Sequence, residues 1–283
     1  MSNQPDHPRA QDVWLTPHLR PGNVRAAIPN VLARSAIFAG QPANLKNRRA
    51  FTESSLLQSV RGYQIFQQSG MQLTQAEATL WMELLRIAFF ATHQPDASRI
   101  PIDVSANGLL KRLDKTCDRK NRQALRTSLQ GLAAARVSVV HDSGFRWESN
   151  LINLDEAVNG SSTRIVLSVD TNLLSAYTAG YTLVNLDQRR KLRDSALGLW
   201  LHTFYSTHRN PLPLASATLQ RLSGCENMRA AAWAQKLKLA LEALTDATGW
   251  KCRFDLSKGT MIHVQRPAFV SKRDRQSPLD EEI

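Results

Sequence analysis

A short stretch of this chain occurs twice, and it occurs in company. FFATHQ (89–94) returns as FYSTHR (204–209), IPI (100–102) as LPL (212–214), LKRL (110–113) as LQRL (219–222), and Cys117 as Cys225. The four spacings are 115, 112, 109 and 108 residues, a slow drift of the kind small insertions produce. Four pieces repeated in one order mark two copies of one supersecondary unit. The hydrophobic pattern agrees. In the first copy a helix over 74–93, opened by Thr74 with Glu77 three residues on, precedes the extended IPI. A short helix (105–113) and a longer one (119–135) follow, and then a hairpin turning at Ser143-Gly144. In the second copy the helix over 188–206 leads to LPL, a short helix (215–222), a long one (227–248) closed by Gly249, and a hairpin turning at Lys258-Gly259.

Helix, strand, helix, turn, helix and hairpin is the order of a winged helix, so the expected class is α+β with two tandem winged-helix domains. The expected divisions are a flexible, proline-rich arm over 1–30, a first domain over 31–187, a second over 188–266, and a loose tail over 267–283. Further strands are expected at 163–169 and 181–186.

Charge indicates what such units would bind. Lysine and arginine total 36 against 24 acidic residues, a net +12. Each Lys or Arg that neutralises a phosphate releases condensed counterions, so the balance favours double-stranded nucleic acid over an anionic membrane surface. The charge is concentrated. Between 111 and 126 there are seven basic residues and two acidic ones, and from 119 to 136 there is no acid at all. On a helix, Leu125, Leu129 and Leu132 fall within about 60° of one another as a core stripe, while Arg119, Gln123, Arg126 and Gln130 share a face away from it. A merely solvated helix face ordinarily mixes signs in i,i+4 pairs, and this one does not.

The expected DNA-binding residues of the first copy are therefore Lys115, Arg119, Lys120, Arg122, Gln123 and Arg126, with Arg146 in its wing. In the second copy they are Asn227, Arg229, Gln235 and Lys236, with Arg253 and Lys258 in the wing. There Trp233, Leu237, Leu241 and Leu244 form the core stripe, and Ala230, Ala231, Ala232 and Ala234 leave a low surface. Arg189, Arg190, Lys191 and Arg193 are further candidates for phosphate contact or for a solvated helix start.

Other chemistry lacks a site. The sequence has no GxxxxGK[ST] phosphate loop, no HExxH and no GxSxG, so neither catalysis, a metal nor a cofactor is expected. Cys117, Cys225 and Cys252 are far apart, which fits a reducing cytoplasm. No apolar run reaches 18 residues, and no membrane partner is expected. His93 and His208 occupy matching places at the ends of two helices, where an imidazole serves the terminal carbonyls.

The ordered set ARSAIF (33–38), QLTQAEATLWMELLRIA (72–88), LRTSLQGLAAARVSVV (125–140), LSVDTNLLSAY (167–177) and YTLVNLDQRRKL (181–192) resembles the TrfA-type plasmid replication initiators, among the iteron-binding Rep proteins. That resemblance implies binding to direct repeats at a plasmid origin, help in opening adjacent AT-rich DNA, and recruitment of a host initiator and replicative helicase. It also implies a monomer–dimer equilibrium that restrains copy number. The short clamp-binding motif of glutamine, leucine and phenylalanine is not found in the arm. A transcriptional repressor or autoregulator of the same fold is the alternative.

Overall fold

The structure, a computed structural model, describes residues 24–43, 48–90, 98–142, 144, 146–154, 164–173, 176–177, 180–255 and 260–267. Its first part holds elements that periodicity did not announce. Strand β1 (Arg25–Pro29) leads into the one-turn helix α1 (Asn30–Ala33). Short strands follow: β2 (Phe38–Ala39), β3 (Ala50–Phe51), β4 (Ser55–Leu57), β5 (Tyr63–Gln67), β6 (Gly70–Met71) and β7 (Leu73–Thr74). The arm expected over 1–30 therefore ends earlier. Residues 1–23 lie outside the described residues, and Arg25–Pro29 are strand because their alternate side chains, Ala26 and Ile28, are buried.

Helix α2 (Gln75–Phe90) starts where Glu77 folds back on Thr74, its Oε2 accepting from the Thr74 backbone N–H at 2.8 Å and from Oγ1 at 2.6 Å. Next come β8 (Arg99–Ser105), α3 (Ala106–Arg112), α4 (Arg119–Ala134), and the hairpin of β9 (Arg136–His141) with β10 (Arg146–Asn150). Strands β11 (Asn153–Leu154), β12 (Arg164–Asp170) and β13 (Tyr181–Asn185) complete this part. The second half contains α5 (Leu186–Lys191), α6 (Ala196–Ser206), β14 (Leu214–Ala215), α7 (Ser216–Leu222), α8 (Ala230–Thr248), β15 (Lys251–Asp255) and β16 (Met261–Gln265).

The single helix expected over 188–206 is thus two. Ser195 breaks it by taking an extended conformation and accepting the Gly198 N–H at 3.1 Å, which starts α6 afresh. Helix α8 also starts later than 227, because Arg229 is still extended (φ −60°, ψ 132° being the β1–α1 junction's value and 142° its own).

The two copies agree in detail at the turn between their paired helices. After α3 the chain passes through Asp114 at φ 56°, and after α7 through Gly224 at φ 68°. Both turns close with the same pair of bonds: Lys115 N to Leu110 O and Asp114 N to Lys111 O in one, Cys225 N to Gln220 O and Gly224 N to Arg221 O in the other. This is a Schellman closure, used at matching positions. The sheets differ. In the second copy β14 pairs with β16 of its own hairpin, giving β14-β16-β15. In the first, β8 pairs with β12 instead, and the hairpin is widened by earlier strands into β10-β9-β5-β4.

Buried apolar residues form two clusters, one drawing on Ala26 to Leu186 and the other on Leu192 to Val264. The chain crosses between them along α5.

Candidate nucleic-acid interface

Helix α4 is oriented by what it buries. Leu125, Leu129 and Leu132 sink into the first cluster, so the opposite side faces outward. Arg119, Lys120, Arg122, Gln123, Arg126 and Gln130 are all exposed there, and Lys115 is exposed in the preceding turn. Asp118 caps the helix, accepting the Asn121 N–H at 2.7 Å. The Thr116 hydroxyl beside it, donating at 2.5 Å, holds the Asp118 carboxyl below its ordinary range. The helix N-terminus is thereby satisfied from within, and a partner anion meets side chains rather than bare N–H groups. Arg122 is steadied by α3, its Nε donating to Asn107 Oδ1 at 3.2 Å.

A cleft of about 1160 Å³ runs beside this helix. Arg119, Lys120, Gln123 and Thr127 border it from α4, and Arg190 and Arg193 border it from the second half of the chain. Its acids are engaged. Glu77 lies 3.4 Å from Arg48, and Glu83 lies 2.7 Å from Arg86 and 3.4 Å from Arg112. No ion pair involves Lys115, Arg119 or Lys120 among the described residues, so the positive field of α4 is not cancelled locally.

Helix α8 presents a different surface. Trp233, Leu237, Leu241 and Leu244 are buried, and Trp233 Nε1 donates to Ser216 Oγ at 2.9 Å, tying α8 to α7. Outside lie Asn227, Arg229, Ala230, Ala231, Ala232, Ala234, Gln235 and Lys238, all exposed. Lys236, expected beside Arg229, is half-buried, close enough to Cys225 for its charge to act on that thiol. Of the wing residues, Arg146 is exposed where β10 leaves its turn, and Arg253 is exposed opposite His263 on β15. Lys258 lies outside the described residues.

One candidate is overturned as a surface contact. Arg189 is 2% exposed and cannot reach a phosphate. The signal for this was in the sequence: Leu186, Arg189 and Leu192 recur at three-residue spacing, which puts Arg189 on the buried face of its short helix. Arg190, Lys191 and Arg193 are exposed, with Arg190 paired to Asp187 and Arg193 3.5 Å from Asp114. The reading of His208 as a helix-end residue fits its geometry. Its Nδ1 lies 3.0 Å from Phe204 O at the end of α6, and burial, aided by Arg34, lowers its pKa. His93 lies outside the described residues.

With this geometry in place the comparisons carry weight. The TrfA protein family matches residues 15–252. The chain belongs to the TrfA family of plasmid replication initiators. Among solved structures, a selenomethionine derivative of domains 2 and 3 of RctB is 14% identical at a TM-score of 0.55, covering 84% of this chain and 98% of that one. A second structure of RctB domains 2-3 is 13% identical at a TM-score of 0.46, covering 82% of this chain and 94% of that one. At 14% identity the first shows likeness of fold. No curated protein sequence matches the chain. For a TrfA family member, a role in plasmid replication is the frame in which the exposed faces of α4 and α8 are to be understood.

Proposed function

We propose that this TrfA family member is a sequence-specific double-stranded DNA-binding protein that recognises direct repeats at a plasmid origin by two tandem winged helices. It acts by binding, without a chemical step. Helices α4 and α8 enter successive major grooves, with the hairpins β9–β10 and β15–β16 as wings on the flanking backbone. The observation that carries this reading is the exposed row Lys115, Arg119, Lys120, Arg122, Gln123 and Arg126, which has no acid from 119 to 136. The matched Schellman turns support a second unit of the same kind.

Two units in one chain have the same polarity, so they suit tandem direct repeats rather than the inverted repeats a symmetric dimer prefers. Bound origin DNA is then opened in an AT-rich flank, and a host initiator and replicative helicase are recruited, with self-association of the chain limiting copy number. Footprinting of the purified protein on the DNA beside its coding region tests the proposal. Regularly spaced protected direct repeats support it. A single protected palindrome over the promoter favours the repressor, and absence of protection refutes both.

A further inference from the structure

Arg189 is a buried cation whose acceptors, as far as they are seen, are all neutral. Its guanidinium reaches into both halves of the molecule. Nε donates to Thr79 Oγ1 at 3.0 Å, and Nη2 to Gln75 Oε1 at 2.8 Å and Gln75 O at 3.4 Å, all on α2. Nη1 donates to Thr203 Oγ1 at 2.6 Å and Leu199 O at 3.2 Å, both on α6. The acceptors are themselves held: Gln75 Nε2 donates to Phe38 O at 2.6 Å, and Thr203 Oγ1 to Leu199 O at 3.0 Å. A planar fork of five donors is suited to this; a lysine ammonium is a single point and cannot span both helices.

The same boundary is tied at both ends. Arg34 donates to Thr207 Oγ1 and Thr207 O, each at 2.7 Å, and Trp200 Nε1 to Ser35 O at 3.1 Å. At the other end Gly40 N donates to Ser223 O at 2.8 Å and Gln41 Nε2 to Gly224 O at 2.6 Å. Ser223 and Gly224 belong to the turn that aims α8, while α2, which Arg189 grips, packs against α4. The distance between the two DNA-facing helices is therefore set across this seam.

We infer that Arg189 is a positioning residue that fixes α4 relative to α8 and so dictates the spacing of half-sites the protein accepts, an inference that rests on the DNA-binding reading above. A rigid pair engages its second half-site as an intramolecular event, and loses that advantage when geometry forbids simultaneous contact. The test uses the full chain and a protected repeat, intact or with about half a turn, ~5 bp, inserted between its two halves. The wild type should lose affinity on the order of 100-fold on insertion. Arg189→Met should bind the intact repeat more weakly, because pre-organisation is lost, and suffer less than about a tenfold loss on insertion. Binding to an isolated half-site should be unchanged.

Met fills the site without a new charge, and Thr79 and Thr203 keep their own backbone partners, so the variant retains a route to folding. Arg34→Gln, at the half-buried edge of the seam, provides the second variant and should shift the insertion penalty in the same direction. An insertion penalty equal to that of the wild type in both variants overturns the inference, as does a wild type indifferent to insertion. Failure to protect any DNA would instead overturn the DNA-binding reading itself.

Discussion

Replacing Arg119, Arg122 and Arg126 by alanine together is the sharpest test of the α4 surface. All three are exposed, and the one neutral bond visibly lost, Arg122 to Asn107, is at the surface. Such a bond contributes under about 1 kcal/mol, so the far-UV spectrum and unfolding midpoint should be close to wild type. Binding should change greatly. With Lys115 and Lys120 the face presents five cations, and each phosphate contact contributes about 0.9 to the slope of log K against log salt. Five contacts give a slope near 4.5, so doubling the salt weakens binding about twentyfold; two contacts give about 1.8 and a loss of about three- to fourfold. Fluorescence anisotropy at several salt concentrations, on target and scrambled duplexes, measures both quantities. If the arginines read bases instead, the slope holds while discrimination falls by about 1–3 kcal/mol for each contact. A folded triple variant with wild-type affinity, slope and discrimination would show that α4 does not face DNA.

Three predictions concern the scaffold. Glu77→Ala should destabilise the protein by about 2–3 kcal/mol in urea unfolding, since it strips the buried cap from Thr74 and leaves Arg48 and Ser128 without their carboxylate. Trp233→Ala should cost about 3–5 kcal/mol, read by the same method, because a buried ring and its bond to Ser216 are both lost. Burial, reinforced by the nearby charges of Arg189 and Arg266, drives the His202 imidazole down to about 3 from its ordinary 6.5. The unfolded chain therefore binds the extra proton as pH falls below 6.5, and stability present above that pH should fall by about 2 kcal/mol by pH 5. His202→Gln should flatten that part of the profile; an unchanged profile would show that another group is responsible.

The interior of this protein was far more legible in its sequence than its connections were. The stripes Leu125, Leu129, Leu132 and Trp233, Leu237, Leu241, Leu244 are buried as their spacing requires, because helical periodicity is a local property that forces one face inward. The exposed basic row of α4 follows from the same geometry. The turns repeat because like sequences face like local constraints. What periodicity does not contain is partnership. It marks 99–105 as strand without saying that β8 pairs with β12 rather than with the adjoining hairpin. The short strands from Phe38 to Thr74 were missed because two- and three-residue strands have no period to detect. The half-buried Lys236 and the buried Arg189 share one cause: a long basic side chain is polar in sequence, but its burial depends on whether distant acceptors converge on it. The sequence by itself determined two helical units, their inward faces and a basic outward one, all set by contacts along the chain. Only the tertiary structure decided how those units are fastened together, because Arg189 finds Gln75 and Thr203 across more than a hundred residues in one direction and fourteen in the other.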